Sequence, residues 1–312
     1  MTPRPIIIDT DPGTDDAIAI WLALASPELE VLGITAVAGN VPLPLTAKNA
    51  RKVCELAKRA DMKVFAGCSR PMVRQPVTAE AFHGETGLGD TNLPEPAMPL
   101  QPEHAADWLV ATLMAAGDGE ITLCPIGPLT NIAVAMVKEP RVLPKIREIV
   151  LMGGGFFEGG NVTPAAEFNI YWDPHAAATV FNSGVELTMM PLDVTHQART
   201  TRDRIAAVRA VGTPVAVAAA DLMAAHGRRE AKDRDKGGGP LHDPCVIAYL
   251  LAPDMFGGRR CNVQVETASE LTMGMTVVDW WGVTGRPKTV TVMNRIDADR
   301  YFALLVDRLA KL

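Results

Sequence analysis

Four carboxylates fall within eight residues near the start of the chain, in the run Ile6-Ile7-Ile8-Asp9-Thr10-Asp11-Pro12-Gly13-Thr14-Asp15-Asp16. Mutual repulsion makes such clustering costly unless a cation offsets it. Oxygen-only donors at this density favour calcium or magnesium over zinc. The acids follow a β-branched run and precede the apolar segment Ala17 to Ala25, so they sit between a strand and a helix with Pro12-Gly13 as the turn. In an α/β protein that position is the carboxyl end of a parallel strand, where ligands are held. The spacing therefore predicts a divalent-cation site built into the first β-α junction. Helix N-capping, the plainer reading, accounts for one or two acids in a first turn at ~0.3–1 kcal/mol each, not for four.

The elements that must position this junction are legible as a repeating pattern. Apolar β-branched runs recur at Ile6 to Ile8, Val31 to Val37, Ile121 to Leu123, Ile149 to Met152 and Leu187 to Met190. Helical patterns lie between them at Ala47 to Ala60, Ala105 to Ala116 and Leu129 to Lys138. The alternation predicts an α/β fold with an open, mostly parallel, doubly wound (Rossmann-like) sheet. Several runs end in glycine or a small polar residue, at Gly39-Asn40, Gly127-Pro128, Gly153-Gly154-Gly155 and Asp193, and those ends should share one rim. No repeat or linker divides the chain, so one domain over residues 1–312 is expected. Arg70 to Pro102 and Gly227 to Pro240 read as long functional loops, Cys261 to Val292 as added strands, and Asp297 to Leu312 as a closing amphipathic helix.

Composition narrows the function classes. With 48% hydrophobic and 21% charged residues the chain is an ordinary globular protein. A net charge of -6 argues against a nucleic-acid polymer as partner, and no apolar run approaches the length of a membrane span. Five scattered cysteines without a CxxC pair fit a reducing compartment. The first strand begins within five residues of Met1, leaving no room for a signal segment, and a cytoplasmic protein is expected.

An Asp-Thr-Asp strand end has two chemical meanings. One is a phosphohydrolase site with an aspartate nucleophile, which needs a downstream lysine and a later acidic pair; Gly89-Asp90 is a poor candidate for the latter. The other uses Asp15 and Asp16 as well, with Asp243 in Gly238-Gly239-Pro240-Leu241-His242-Asp243 completing a cation shell. With Ala38-Gly39-Asn40, Pro125-Ile126-Gly127-Pro128-Leu129-Thr130-Asn131, Met152-Gly153-Gly154 and Glu167-Phe168-Asn169, these blocks span most of the chain. In them the chain resembles the calcium-dependent nucleoside N-ribohydrolases of the inosine-uridine-preferring family.

The resemblance implies a Ca2+ ion held by Asp11, Asp16, Asp243 and the backbone carbonyl of Ile126, with Asp11 also taking a proton from the attacking water. It places Asp15, Asn40, Asn161, Glu167 and Asn169 on the ribose, with Met152 lining the sugar pocket. It further implies nucleoside salvage and a homodimer or homotetramer. The chemistry asks for these residue types on its own account: cleaving an N-glycosidic bond builds positive charge on the ribose ring, which carboxylates stabilise.

The departing base benefits from a proton, and His242, beside a predicted ligand, is a candidate donor. His83, in Phe82-His83-Gly84-Glu85, is a second candidate, at a position that also resembles pyrimidine-preferring members. One segment departs from the pattern. Arg228 to Lys236 presents charges where relatives place aromatic or amide side chains against the base, with Arg234 about where a pyrimidine-preferring relative has a tyrosine. Pyrimidine or mixed preference is expected, and Trp280 and Trp281 could supply the missing stacking. The alternative to an active hydrolase is a calcium-dependent nucleoside-binding protein with little turnover.

Overall fold

In the computed structural model of the chain, which describes residues 2–77, 79, 84–89, 91–229 and 238–312, nine strands make one sheet. They are β1 (Arg4–Thr10), β2 (Leu29–Ala36), β3 (Val64–Ala66), β4 (Ile121–Pro125), β5 (Ile146–Met152), β6 (Leu187–Met190), β7 (Phe256–Val265), β8 (Thr276–Asp279) and β9 (Val290–Ile296). Their order is β3-β2-β1-β4-β5-β6-β9-β7-β8. Neighbours from β3 to β9 in that order pair in parallel. At the edge β7 pairs antiparallel with β9 and with β8.

The chain winds outward from β1 through β2 to β3, then returns to β4 and winds the other way. Doubly wound sheets hold ligands outside the strand ends at such a reversal. Here Asp9 pairs with Pro125 across it, and Thr10 pairs with Ala36 on the other side. The acidic turn and the Pro125-Ile126 junction are thereby fixed side by side.

Both faces of the sheet are covered, which is why its central strands are apolar without interruption. Alternate side chains of β1 serve opposite layers. Ile6 and Ile8 pack with Trp21, Leu222, Ile247 and Leu305, whereas Ile7 packs with Leu109, Ile132 and Val180. The helix Thr14–Leu24 is buried along nearly its whole length, so the turn that carries the acids has little freedom to move.

Each predicted strand is present. The helix expected over Ala47 to Ala60 runs instead over Leu43–Leu56. Proline is tolerated in a first turn, so Pro44 does not delay its start. Lys58, in the left-handed region at φ 57°, lies beyond its end. The closing helix is Ala298–Leu309, capped by Asp297, whose carboxylate accepts from Arg300 N at 3.1 Å. Sequence patterning did not mark the three-residue β3, nor the helices Phe168–Trp172, Pro174–Phe181, Arg202–Ala210 and Pro214–Arg229. The described residues between 70 and 100 form neither helix nor strand, while Gln101 makes an isolated bridge with Phe65. The second expected loop begins inside the helix Pro214–Arg229, and its residues 230–237 lie outside the described residues. No described helix is long and apolar enough to cross a membrane.

Trp21 ties the acid-bearing helix to Leu43–Leu56: it is fully buried and its Nε1 donates to the Val53 carbonyl at 2.9 Å. Trp21→Ala should lower stability by ~3–5 kcal/mol, read as an earlier midpoint of urea unfolding. An unchanged midpoint would show that the contact carries no such weight.

Candidate active site

The residues after β1 enter the helix Thr14–Leu24 at Gly13, whose N–H donates to Asp16 Oδ2 at 2.9 Å. Asp16 Oδ1 accepts from the Thr10 hydroxyl at 2.6 Å, and the Asn40 amide reaches Asp16 Oδ2 at 3.3 Å. Asn40 also closes on Asp11: its backbone N–H donates to Asp11 Oδ2 at 2.7 Å and its side-chain amide to the Asp11 carbonyl at 3.1 Å. The turn after β2 thus grips the turn after β1. The other Asp11 oxygen, Oδ1, is buried and has no hydrogen-bond partner among the described residues.

Asp243, at the start of the helix Pro244–Leu251, comes in from far along the chain. One carboxylate oxygen each from Asp15, Asp16 and Asp243 lie within 4.8 Å of one another. Asp11 adjoins this trio, and its charge acts on Asp243. The four acids gathered in space are therefore Asp11, Asp15, Asp16 and Asp243. Asp9, which the sequence pattern groups with them, is committed elsewhere. Its Oδ2 accepts from Thr35 Oγ1 at 2.5 Å and Asn131 Nδ2 at 2.8 Å, and burial pushes its pKa up to about 7.

Burial first, and then the charge of Asp15, pushes Asp16 up to about 6. Asp11 is raised well above the ordinary carboxylate range by burial and next by Asp16. Asp243 is raised in the same way by burial and then by Asp15, Asp16 and Asp11. These residues fit a hard divalent cation: the donors are all oxygen, Asp11 Oδ1 awaits a partner, and space is kept free around that carboxylate. A Cβ on Gly39 would lie 2.1 Å from Asp11 Oδ2, and one on Gly127 2.4 Å from Asp11 Oδ1.

A second group of residues converges from β4, β5 and the helix Phe168–Trp172. Asn169 Nδ2 donates to the carbonyls of Ile126 and Met152, both at 3.2 Å, and approaches Met152 Sδ at 3.6 Å. Glu167 caps that helix: Oε1 accepts from Asn169 N at 2.9 Å, and Oε2 from Gly154 N at 2.9 Å and Ile170 N at 3.2 Å. Burial still raises its pKa against these three bonds. Asn161 is exposed and accepts from Phe168 N at 3.0 Å at the start of that helix. His242 is buried beside Asp243, with Nδ1 2.7 Å from Thr195 Oγ1.

The structure thus brings together Asp11, Asp15, Asp16, Asn40 and Asp243, and joins Ile126, Met152, Glu167 and Asn169 through side-chain and backbone bonds. His83, Arg234 and the charged segment around it lie outside the described residues, and nothing is described of the Arg228 and Arg229 side chains. Trp280 stacks on Phe156, with centroids 5.1 Å apart, while Trp281 is exposed. Sequence reasoning gave no task to Thr35, Asn131 or Asp193. Asp193 was visible only as a strand end, yet its carboxylate accepts the N–H groups of Phe156 and Phe157 at 2.9 Å and of Glu158 at 3.1 Å.

Comparison with known proteins agrees with this geometry. The family model described as inosine-uridine preferring nucleoside hydrolase matches residues 6–303. A pyrimidine-specific ribonucleoside hydrolase RihA from Shewanella sp. (strain MR-7) is 47% identical over 311 residues, covering 98% of this chain and 96% of that protein. An uncharacterized protein of Schizosaccharomyces pombe is 50% identical over 307 residues, covering 98% and 99%. Among solved structures, a purine-preferring ribonucleoside hydrolase from Gardnerella vaginalis superposes with TM-score 0.91 at 32% identity, covering 98% of each chain.

The raised carboxyl groups set the pH dependence of the cluster. Asp16 holds its proton more tightly folded than unfolded. Without a cation, its contribution to stability is fully present below the ordinary pKa of 3.8 and is lost as pH rises through about 6. A bound cation displaces such protons, so the affinity for a divalent cation, measured calorimetrically, should rise across that window; affinity independent of pH would contradict the assignment. Gly127→Ala, which intrudes on Asp11, should weaken binding of a divalent cation by about 10- to 100-fold, in the range typical of changes behind a metal ligand.

Proposed function

The chain belongs to the inosine-uridine preferring nucleoside hydrolase family and hydrolyses ribonucleosides to ribose and free base, and within that activity we propose a division of labour among its residues. Asp11, Asp16, Asp243 and the Ile126 carbonyl hold Ca2+. Asp15, Asn40, Asn161, Glu167 and Asn169 bind the ribose, with Met152 against the sugar. His242 and His83 serve the leaving base. The observation that carries this reading is the gathering of four buried carboxylates, Asp11, Asp15, Asp16 and Asp243, with one oxygen of Asp11 lacking a described partner.

When bound, a divalent cation supplies an activated water and a template for the sugar diol. Calcium suits the site because it takes six to eight oxygen ligands in flexible geometry. Asp11 Oδ1, buried without a described partner, would take a proton from the water that attacks the anomeric carbon. As the glycosidic bond lengthens, charge develops on the ribose ring. Asp15 and Glu167 place negative charge beside it in a setting of low dielectric, where each counts for more than in water. Asn169, with its amide N–H groups spent on Ile126 and Met152, offers its oxygen to a sugar hydroxyl. The bonding electrons leave with the base nitrogen, which gains a proton from His242.

Pyrimidine preference is supported by the likeness to the pyrimidine-specific RihA protein. A role in nucleoside salvage in the cytoplasm is supported by the reaction class and by five cysteines that are all free. Exposed Phe157, Trp281 and Val283 offer surface for a homodimer or homotetramer.

Release of reducing sugar from uridine, cytidine, inosine, adenosine and guanosine, with calcium and with a chelator, tests the reaction and its base ranking together. Calcium-dependent release is expected, fastest from the pyrimidines. Activity that survives exhaustive chelation would remove the cation from the reading, and faster purine release would reverse the preference. Asp11→Asn should lower kcat by ~10²- to 10⁴-fold, the usual weight of general acid–base help; retention of near-full turnover would strip Asp11 of its role as base.

A further inference from the structure

The helix Leu192–Thr195 follows β6 at the same rim as the acids. Asp193 holds the backbone of Phe156 to Glu158, closing the loop that begins at Gly153. Thr195 is fully buried, and its hydroxyl lies 2.7 Å from His242 Nδ1. His196 bonds Glu158 through Nδ1 at 3.0 Å, and its ring centroid is 5.9 Å from that of His242. Asp193 and Thr195, two residues of one short element, therefore hold the glycine loop and the histidine.

Resting on the reading of His242 as proton donor to the leaving base, we propose that Thr195 is the positioning residue for His242, engaging Nδ1 so that Nε2 is the nitrogen presented to the base. A hydroxyl both donates and accepts, which lets Thr195 keep its bond through the transfer. As the glycosidic bond breaks, its electron pair passes to the base nitrogen. The Nε2–H bond then breaks and a base N–H bond forms. The ring, protonated on both nitrogens before the transfer, keeps its second proton on Nδ1, donated to Thr195 Oγ1, and is left as neutral imidazole. A ring free to rotate would present either nitrogen, and orientation of the reacting group is a large part of catalytic rate. Burial adds to the effect, since Thr195 and His242 are held where water competes little for the bond.

The test compares Thr195→Val with Thr195→Ser on uridine and on a nitrophenyl riboside, whose phenolate leaves without a proton. Thr195→Val should lower kcat on uridine by about tenfold or more, and on the nitrophenyl riboside by less than about threefold, with Thr195→Ser restoring most of the loss. In a His242→Ala background, Thr195→Val should add nothing further, because the two residues act as one unit. Thr195→Ala serves in the same comparison if the valine variant does not fold. Equal slowing of both substrates, or no slowing of either, would overturn the positioning role. His242→Ala alone separates the two levels: if it slows both substrates alike, the donor reading of His242 fails and takes this inference with it. If His242→Ala is selective for uridine and the Thr195 variants are not, only the inference about Thr195 fails.

Discussion

Like charges buried near one another repel strongly: two carboxylates about 4 Å apart interact by ~4 kcal/mol even at an effective dielectric constant of about 20. Asp11, Asp15, Asp16 and Asp243 are all buried in that relation, and much of the surrounding structure is arranged to hold them there. The N–H groups of Gly13 and Asn40 and the hydroxyl of Thr10 point at carboxylate oxygens. Gly39 and Gly127 leave room on either side of Asp11 that a methyl group would fill. Such an array is poorly matched to an apo protein and well matched to one that binds a cation, because the same repulsion that opposes folding drives binding.

The sheet resists the repulsion mechanically. The acids hang from a strand buried on both faces and from a helix buried along its length, so the cluster cannot relax by swinging a loop into water. Asp9 shows how far this bracing goes. Its Oδ2 bonds Thr35 on β2 and Asn131 in the helix Thr130–Lys138. Asn131 also donates to the Ala36 carbonyl and accepts from Cys68 N. An acid of the first motif thus ties together the segments that flank the site, which explains its presence in a motif whose other acids face one another.

The strands and the junctions that carry the site were legible because their signals are local: β-branched runs that end in glycine, asparagine or aspartate at the rim. The carboxylate cluster was legible for the same reason, since the first motif concentrates its acids in eight residues. Asp243 could not be placed beside them by spacing, and only the resemblance in His242-Asp243 joined it to the first turn. Thr195 and Asp193 carried no signal of their own. Both lie in a four-residue helix, too short for periodicity to register, and what they do depends on residues some 40 positions away in either direction along the chain. The helix Leu43–Leu56 was misplaced by a turn because its first turn contains Pro44, which breaks a pattern without breaking the helix.

The two halves of the reaction make unequal demands on the fold. Binding a sugar and activating water needs carboxylates fixed to within a fraction of an ångström, and the buried acids of this chain sit at strand ends and helix starts at the switch point of the sheet. Selecting a base needs only a wall of the right shape and polarity, which loops can supply. The comparisons are consistent with that division: the Gardnerella vaginalis structure, whose name declares a purine preference, keeps the fold at TM-score 0.91 with 32% identity, while a protein named for pyrimidine specificity is 47% identical. Catalysis of the glycosidic bond is therefore tied to the architecture, and the choice of base is free to change upon it. A short element such as Leu192–Thr195 links two parts of that rim, because Asp193 holds the glycine loop and Thr195 engages His242.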